Sequence, residues 1–159
     1  MKRSFYFCSI ILLMMFVFSF NVSAQSWETY EASDFNVKIS IPSNWKTSTG
    51  NDDGIPYLES VSPDQSMFLF IFVYKDISIS TSELLDNAVN DLGIALEGEA
   101  ENENLNGMDA WVAEAVGLID DMEVGLYITA ATYDENNYVA YIFTPIEYFD
   151  KNAQTMNKI

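Results

Sequence analysis

The sequence predicts an α+β fold: a single domain built on a mostly antiparallel sheet of about six or seven strands, with two main helices covering its faces. Three observations predict it. Met67–Tyr74 is an unbroken run of eight apolar residues, rich in aromatic and β-branched types, which is typical of a strand buried on both faces. Hairpin signals separate most of the other apolar segments. Only two segments, one beginning at Ser80 and one following Pro145, have the apolar spacing of helices.

The Met67–Tyr74 segment is expected at the centre of the sheet, flanked by Glu123–Tyr133 and Tyr138–Thr144. Its side chains alternate between two faces. One face would carry Met67, Leu69, Ile71 and Val73, and the other Phe68, Phe70, Phe72 and Tyr74. The aromatic face is typical of a core, and is also a candidate apolar pocket or partner groove. If the covering elements leave part of the sheet uncovered, we expect a partner to bind there.

Residues 1–24 have the pattern of a signal peptide. Two basic residues precede an apolar core at Phe5–Phe20, and a signal peptidase is expected to cleave after Ala24. The core is short for a membrane-spanning helix, and Cys8 lies too early to be a lipoprotein cysteine. The sequence therefore predicts an exported protein, periplasmic or extracellular, with no membrane insertion after cleavage. Residues 25–159 would form its single domain.

The predicted mature chain is strongly acidic and lacks several residue types. It has five lysines and 24 acidic residues, so its formal charge is 5 − 24 = −19, and it has no arginine, histidine or cysteine. The absence of cysteine suits a domain that does not rely on disulfides in an oxidising compartment. Because this charge repels polyanions, nucleic acid and anionic membrane surfaces are excluded as partners.

The first half of the mature chain is predicted to be mostly strand. Trp27–Tyr30 is expected to be an edge strand or a flap over the sheet. Phe35–Ile41 alternates apolar and polar residues, as in a strand with one solvated face. The following Trp45 is expected to fold back onto the core. Gly50–Gly54 has the composition of a turn or mobile loop. Ile55–Val61 is predicted to be a strand that pairs with Met67–Tyr74 through a tight turn.

A capping box at Ser80–Glu83 begins the first predicted helix. Its apolar stripe continues as far as Leu96, and Gly98 is the expected C-cap. Gly93 would then lie inside the helix, where it costs about 1 kcal/mol relative to alanine. We therefore expect close packing of the helix at that glycine.

The second half of the chain predicts a meander and a final helix. Glu99–Leu105 is polar on both faces and is expected at an edge, where its charges discourage pairing with another molecule. Asn106-Gly107 is a strong hairpin signal. Three strands are expected after it: Met108–Val116, Glu123–Tyr133 and Tyr138–Thr144. A helix is predicted over Ile146–Ile159; it ends without a capping residue, which leaves open whether the natural chain continues.

The segment Phe35–Trp45, a strand followed by Pro42, a short gap and Trp45, resembles the opening of the PsbP-like superfamily, which includes the photosystem II extrinsic subunit and small bacterial exported proteins. The order of the later elements is also similar, so the resemblance covers nearly all of the mature chain. It implies a PsbP-like α+β domain and a non-catalytic binding or accessory role. It implies no particular functional residue, because the group shares no site motif that matches this chain.

The residue types of the commonest active sites are missing. Without histidine or cysteine, the usual nucleophile–base pairs and transition-metal sites cannot form, and without arginine there is no bidentate anion recognition. Ser43 and Lys46 match Ser-x-x-Lys, but they follow a strand rather than begin a helix, and the motifs that complete such a site are absent. We therefore expect no enzyme, no catalytic residue, no metal and no cofactor, but a binding module for a protein or an envelope component.

Two alternatives stay open from the sequence. A weak calcium-dependent module is one, although Thr49–Ser60 lacks the charged end positions of a calcium loop. Two turns are candidates for a looser cation site: Asp52 with Asp53, and Asp120 with Asp121 and Glu123. The other alternative is a carboxylate-based hydrolase of sugar polymers, which needs two acids facing each other across a cleft, about 5 to 9 Å apart.

Overall fold

A computed structural model describes residues 25–75 and 78–159, and the predicted signal peptide lies outside the described residues. The strands are β1 (Trp27–Ala32), β2 (Val37–Pro42), β3 (Lys46–Asp52), β4 (Ile55–Val61), β5 (Phe68–Lys75), β6 (Ala95–Leu96), β7 (Glu101–Leu105), β8 (Met108–Ile119), β9 (Met122–Tyr133) and β10 (Asn136–Pro145). The helices are α1 (Thr81–Leu92) and α2 (Phe149–Met156), with 3₁₀ turns at Ser33–Phe35 and Ile146–Tyr148. The predicted α+β class is confirmed.

Eight of these strands form one antiparallel sheet in the order β3-β4-β5-β10-β9-β8. Both β6 and β7 pair with the outer edge of β8. The remaining two strands, β1 and β2, pair only with each other. We call this hairpin the flap. Trp27–Tyr30 was predicted to be an edge strand or a flap over the sheet, and the flap is confirmed.

The central position of β5 is confirmed, but one of its predicted neighbours is wrong. β5 lies between β4 and β10, and β9 is one strand further away. The reason is that a strand has only two edges. The β4–β5 hairpin takes one edge of β5, and β8 takes the outer edge of β9, so only β10 of the β9–β10 hairpin is left to pair with β5.

Burial alternates along β5 as the sequence predicts. Leu69, Ile71 and Val73 are buried, whereas Phe68, Phe70, Phe72 and Tyr74 are only half-buried. We call the face that carries Leu69, Ile71 and Val73 the flap face, and the opposite one the α1 face. The aromatic side chains of β5 are therefore less buried than the aliphatic side chains on its other face.

The flap and α2 cover the flap face over β4, β5 and β10, and α2 also reaches one end of β9. Ile41 of the flap, Leu58 and Ile71 belong to one buried cluster. The predicted anchor Trp45 is buried in the same cluster, and its backbone N–H donates to the Pro42 carbonyl at 3.0 Å. α2 is fixed to β10 by a buried hydrogen bond in which the Asn152 amide donates to Thr144 Oγ1 at 2.8 Å.

α1 covers the opposite face over β8, β9 and β10. Its Leu84 and Leu85 share a buried cluster with Leu126 and Ile128 of β9. The predicted N-cap is confirmed, since Ser80 Oγ accepts from the Glu83 N–H at 3.2 Å. The helix therefore begins where the capping box indicates.

The predicted end of α1 is wrong. Gly93, not Gly98, is the C-cap: its φ is +64° and its N–H donates to the carbonyls of Val89 and Asn90. A glycine in the left-handed region ends a helix at no steric cost. Leu96, assigned to the helix stripe, lies in β6 instead.

Four other boundaries also differ from prediction. The Gly50–Gly54 loop is the end of β3 and a tight turn at Asp53-Gly54; β3 was missed because its polar residues do not alternate. The Phe35–Ile41 strand begins only at Val37, and the meander strands are longer than expected. The final helix ends at Met156 after a 3₁₀ turn, rather than running from Ile146 to Ile159.

The glycine at 125 allows α2 to reach the sheet. A Cβ at this position would overlap Cδ2 of the Phe149 ring. We expect Gly125→Ala to lower the free energy of unfolding by about 1–3 kcal/mol, because the ring must move out of a packed position. Urea denaturation measures this loss. In a Phe149→Leu background the same change is expected to cost less, and an equal cost would contradict the contact.

Candidate functional site

The covering elements lie on diagonally opposite parts of the sheet. On the flap face they lie over β4, β5 and β10, with β7, β8 and the outer part of β9 left open. On the α1 face the helix packs over β8, β9 and β10, and the side chains of β4 and β5 stay half-exposed. Each face of the sheet therefore keeps one accessible area.

The first area is aromatic and lies on the α1 face. We call it the aromatic surface and define it by the half-buried rings of Tyr57, Phe68, Phe70, Phe72 and Tyr141. They come from three neighbouring strands, because Phe72 is directly opposite Tyr57 on β4 and Phe70 is directly opposite Tyr141 on β10. The aromatic face found in the sequence is thus a surface and only partly a core.

The rings of the aromatic surface pack against one another. Phe68 stacks on the buried Phe143 with ring centroids 5.1 Å apart and planes 14° apart. Phe72 and Tyr141 stack at 5.9 Å, and Tyr57 tilts against Phe72 at 5.5 Å. Offset stacking of this kind uses ring faces inside the layer. What the layer offers to solvent is therefore largely apolar ring edge.

Polar residues border the aromatic surface at the β3 edge. Lys46, Ser48, Glu59 and Gln65 line a shallow depression of about 290 Å³ next to Phe68. Further along β3, the Tyr57 ring lies against the backbone of Gly50, where a Cβ would be only 2.5 Å from the ring. An apolar centre with a polar rim is the usual composition of a protein–protein contact area.

The second area is a cleft of about 1340 Å³ on the flap face. One wall is formed by β2 of the flap and by the end of the chain at Met156–Ile159, and the floor is formed by β8, β9 and β10. The opposite wall is the β6–β7 edge of the sheet. We call this the acidic cleft, because five carboxylates line it on that side, four at the β6–β7 edge and one on the adjoining β8: Glu97, Glu99, Glu101, Glu103 and Glu114.

These five carboxylates are exposed, and the two lysines that line the cleft are held elsewhere. Lys38 Nζ lies 2.6 Å from Glu31 Oε1, which is the only ion pair among residues 25–75 and 78–159. Lys158 Nζ lies 4.2 Å from the centroid of the Trp27 ring. The acidic wall therefore has no cationic side chain against it in the described part of the chain.

Tyrosines on the floor and rim of the cleft are partly enclosed. The Asn157 amide donates to Tyr127 Oη at 3.4 Å. Burial raises the pKa of the Tyr127 hydroxyl and that of the Tyr138 hydroxyl. Both tyrosines therefore stay neutral at ordinary pH, and the charge of the cleft comes from its glutamates.

The residues singled out for chemistry in the sequence are not brought together. The Ser43 hydroxyl bonds to that of Ser26, and no interaction with Lys46 is present. The two candidate cation turns are exposed hairpin turns, at β3–β4 and β8–β9. Within the described ranges no three acidic, histidine or cysteine side chains are grouped so as to hold a metal ion.

A hydrolytic pair of carboxylates also finds no support in the cleft. All five of its acidic side chains lie on the β6–β8 side, whereas the flap wall offers Thr29, Asn36, Lys38 and Ser40. Glycoside hydrolysis needs one carboxyl on each side of the scissile bond. The acids of this cleft share one side instead.

The aromatic surface could be anticipated from the sequence, but the acidic cleft was missed. The alternation of Glu99, Glu101 and Glu103 was a usable signal, since every second residue of a strand points to the same face. Glu97 and Glu114 join them only through the pairing of Glu97 N–H with the Glu114 carbonyl at 2.8 Å. That pairing depends on the tertiary fold, and no local sequence pattern predicts it.

Comparison with known proteins identifies the fold. No protein-family model matches the chain, and no curated protein does so significantly. Among solved structures, cyanobacterial PsbP (CyanoP) from Synechocystis sp. PCC 6803 matches with a TM-score of 0.64 at 14% identity, over 86% of this chain and 91% of that one. LpqN, involved in cell envelope biogenesis of Mycobacterium tuberculosis, matches with a TM-score of 0.55 at 13% identity, over 87% and 83%. PA94 of Pseudomonas aeruginosa, of unknown function, gives 0.53 at 10% identity, over 82% and 91%.

The chain therefore has a PsbP-like fold, as its sequence predicts. At these identities the likeness concerns the arrangement of the elements and carries over no residue roles. Across residues 25–75 and 78–159 there is no helix of the length and apolarity needed to cross a membrane.

Tyr141 gives a pH-dependent test of the aromatic surface. Burial among its neighbours raises the pKa of this hydroxyl to about 12, and Tyr74 and Asp52 add to the rise. An unfolded tyrosine titrates near pH 10, so the stability that comes from neutral Tyr141 is complete below about pH 10. It is lost as the pH rises from about 10 to about 12. We expect Tyr141→Phe to reduce the fall in the free energy of unfolding over this interval, as measured by urea denaturation. An unchanged pH slope would place Tyr141 in solvent.

Proposed function

We propose that this protein is a non-catalytic accessory module, exported from the cytoplasm, that binds a protein partner of the cell envelope through the aromatic surface. The observation that carries the proposal is the group of five half-buried rings on one face of a sheet. In the core of the same sheet Leu58, Leu126 and Ile128 are fully buried, whereas these rings are not. A cluster of rings left accessible in such a chain is a feature of interaction sites.

The stacking of the rings favours a polypeptide over a sugar polymer. A sugar ring binds by lying on a free aromatic face, whereas here neighbouring rings occupy much of one another's faces. Ring edges and the clefts between them suit aliphatic and aromatic side chains, which gain about 25 cal/mol for each Å² of apolar surface removed from water. The polar rim at Lys46 and Glu59 would then fix the orientation of the partner.

Export and the accessory role are supported by separate observations. The basic start, apolar core and Ala24 of the leader favour cleavage to a chain that begins at Gln25. LpqN, which shares the fold, is involved in cell envelope biogenesis. CyanoP, which also shares the fold, is a cyanobacterial PsbP. The absence of histidine, cysteine and arginine from the mature chain supports a non-catalytic role.

A photo-cross-linking amino acid at the aromatic surface tests this proposal in the cells that produce the protein. We expect a cross-linker at position 72 to give a discrete adduct with one envelope protein. The double variant Tyr57→Ser/Phe70→Ser, with the same cross-linker, should lower its yield at least about tenfold, because the apolar contact area is lost.

The matched control changes two apolar residues outside the aromatic surface. Ile146 and Tyr148 are 38% and 39% exposed, so Ile146→Ser/Tyr148→Ser should fold and leave the adduct unchanged. An adduct that forms equally well with both double variants would show that the aromatic surface is not the binding site. Recovery of the uncleaved chain in the cytoplasm would contradict export.

A further inference from the structure

The acidic cleft lies on the opposite face of the sheet from the aromatic surface and is a separate feature of the molecule. It is larger than a typical small-molecule pocket, which is about 300 to 1,000 Å³. It is also open, since the flap lies over β4, β5 and β10 and α2 reaches only one end of β9, so that neither covers β7 or β8. These dimensions suit a segment of polypeptide better than a compact ligand.

Charge in the cleft is one-sided. Five glutamates line it, and both of its lysines are engaged outside its acidic wall, Lys38 with Glu31 and Lys158 with Trp27. Apart from Glu114, the floor between the walls is uncharged and partly apolar, and it includes Val112, Thr129 and Ala131. A complementary occupant would have an uncharged side toward the floor and cations toward the β6–β7 edge.

The spacing of the carboxylates defines the shape of that occupant. Glu101 and Glu103 are alternate residues of β7, so their side chains leave the same face about 6.6 Å apart along the strand. An extended peptide has the same repeat between alternate side chains. Among residues 25–75 and 78–159 β7 pairs only with β8, so no further strand beyond it closes this side of the cleft.

We propose that the acidic cleft binds an extended, basic segment of another protein, with lysine or arginine at alternate positions facing Glu101, Glu103 and Glu114. The carboxylates repel an acidic strand and would lose water without gaining a partner beside a neutral one, so they favour a basic one. A divalent cation is a poorer occupant, because no three carboxylates of the described residues are grouped to coordinate one. The proposal is independent of the partner on the aromatic surface.

Fluorescence anisotropy with a labelled heptapeptide, in which lysine and threonine alternate, tests the proposal on the exported protein. We expect saturable binding that weakens about tenfold from low salt to several times physiological salt. Glu101→Gln/Glu103→Gln/Glu114→Gln should weaken it at least about tenfold, because three charge pairs are lost. The control Asp53→Asn/Asp86→Asn/Asp120→Asn removes the same charge from exposed sites outside the cleft and should change binding less than about twofold.

Three further results distinguish this proposal from non-specific electrostatic attraction between the basic peptide and the acidic protein. Equal weakening by the two triple variants would reduce the binding to overall charge and overturn the proposal. If spermidine at equal total charge displaces the labelled peptide as strongly as the unlabelled peptide does, the cleft binds small organic cations and not specifically a polypeptide. That result would overturn the proposal. The peptide with all lysines acetylated should fail to bind the unaltered protein, which tests the charge pairing without any change to the fold; unchanged binding would overturn the proposal.

Discussion

An eight-stranded sheet with apolar residues on both faces has more surface to cover than this chain has elements to cover it. Only the flap, α1 and α2 are available among the described residues. The flap and α2 protect the flap face over β4, β5 and β10, and α1 protects the other face over β8, β9 and β10. β10 is therefore covered on both sides, which accounts for the burial of Val139, Ile142 and Phe143. The strands at the two ends of the sheet are covered on one side at most.

This diagonal arrangement explains why the two accessible areas differ in chemistry. The uncovered part of the α1 face contains β5, the most aromatic strand, and its rings protect one another by stacking. The uncovered part of the flap face contains β7 and the end of β8, where charged side chains keep a sheet edge from pairing with other copies. One area thus offers apolar contact and the other offers charge. If both proposals hold, the module would hold two protein segments at once, one on each face of the sheet.

Much of the fold was accessible from the sequence because local chemistry determines it. Ser80 begins α1, Asn106-Gly107 forms a turn with both φ angles positive, and the period-two pattern of Met67–Tyr74 gives its two faces correctly. The errors arose where local patterns compete or are absent: Gly93 ends the helix before its apolar stripe runs out, and β3 has no apolar alternation. The acidic cleft could not be predicted from the sequence, because it depends on where β6 and β7 pair along β8 and on where the flap ends.

Each face of the sheet keeps one accessible area, and hydroxyl-radical footprinting of the free protein is the sharpest test of this arrangement. Side-chain oxidation should be rapid at Tyr57 and Phe72 on the aromatic surface and at Met108 and Tyr127 in the acidic cleft. It should be slow at the buried Trp45 and Phe143, which serve as internal references. Protection of Tyr57 and Phe72 to the level of Phe143, or of Met108 and Tyr127 to the level of Trp45, would contradict the account.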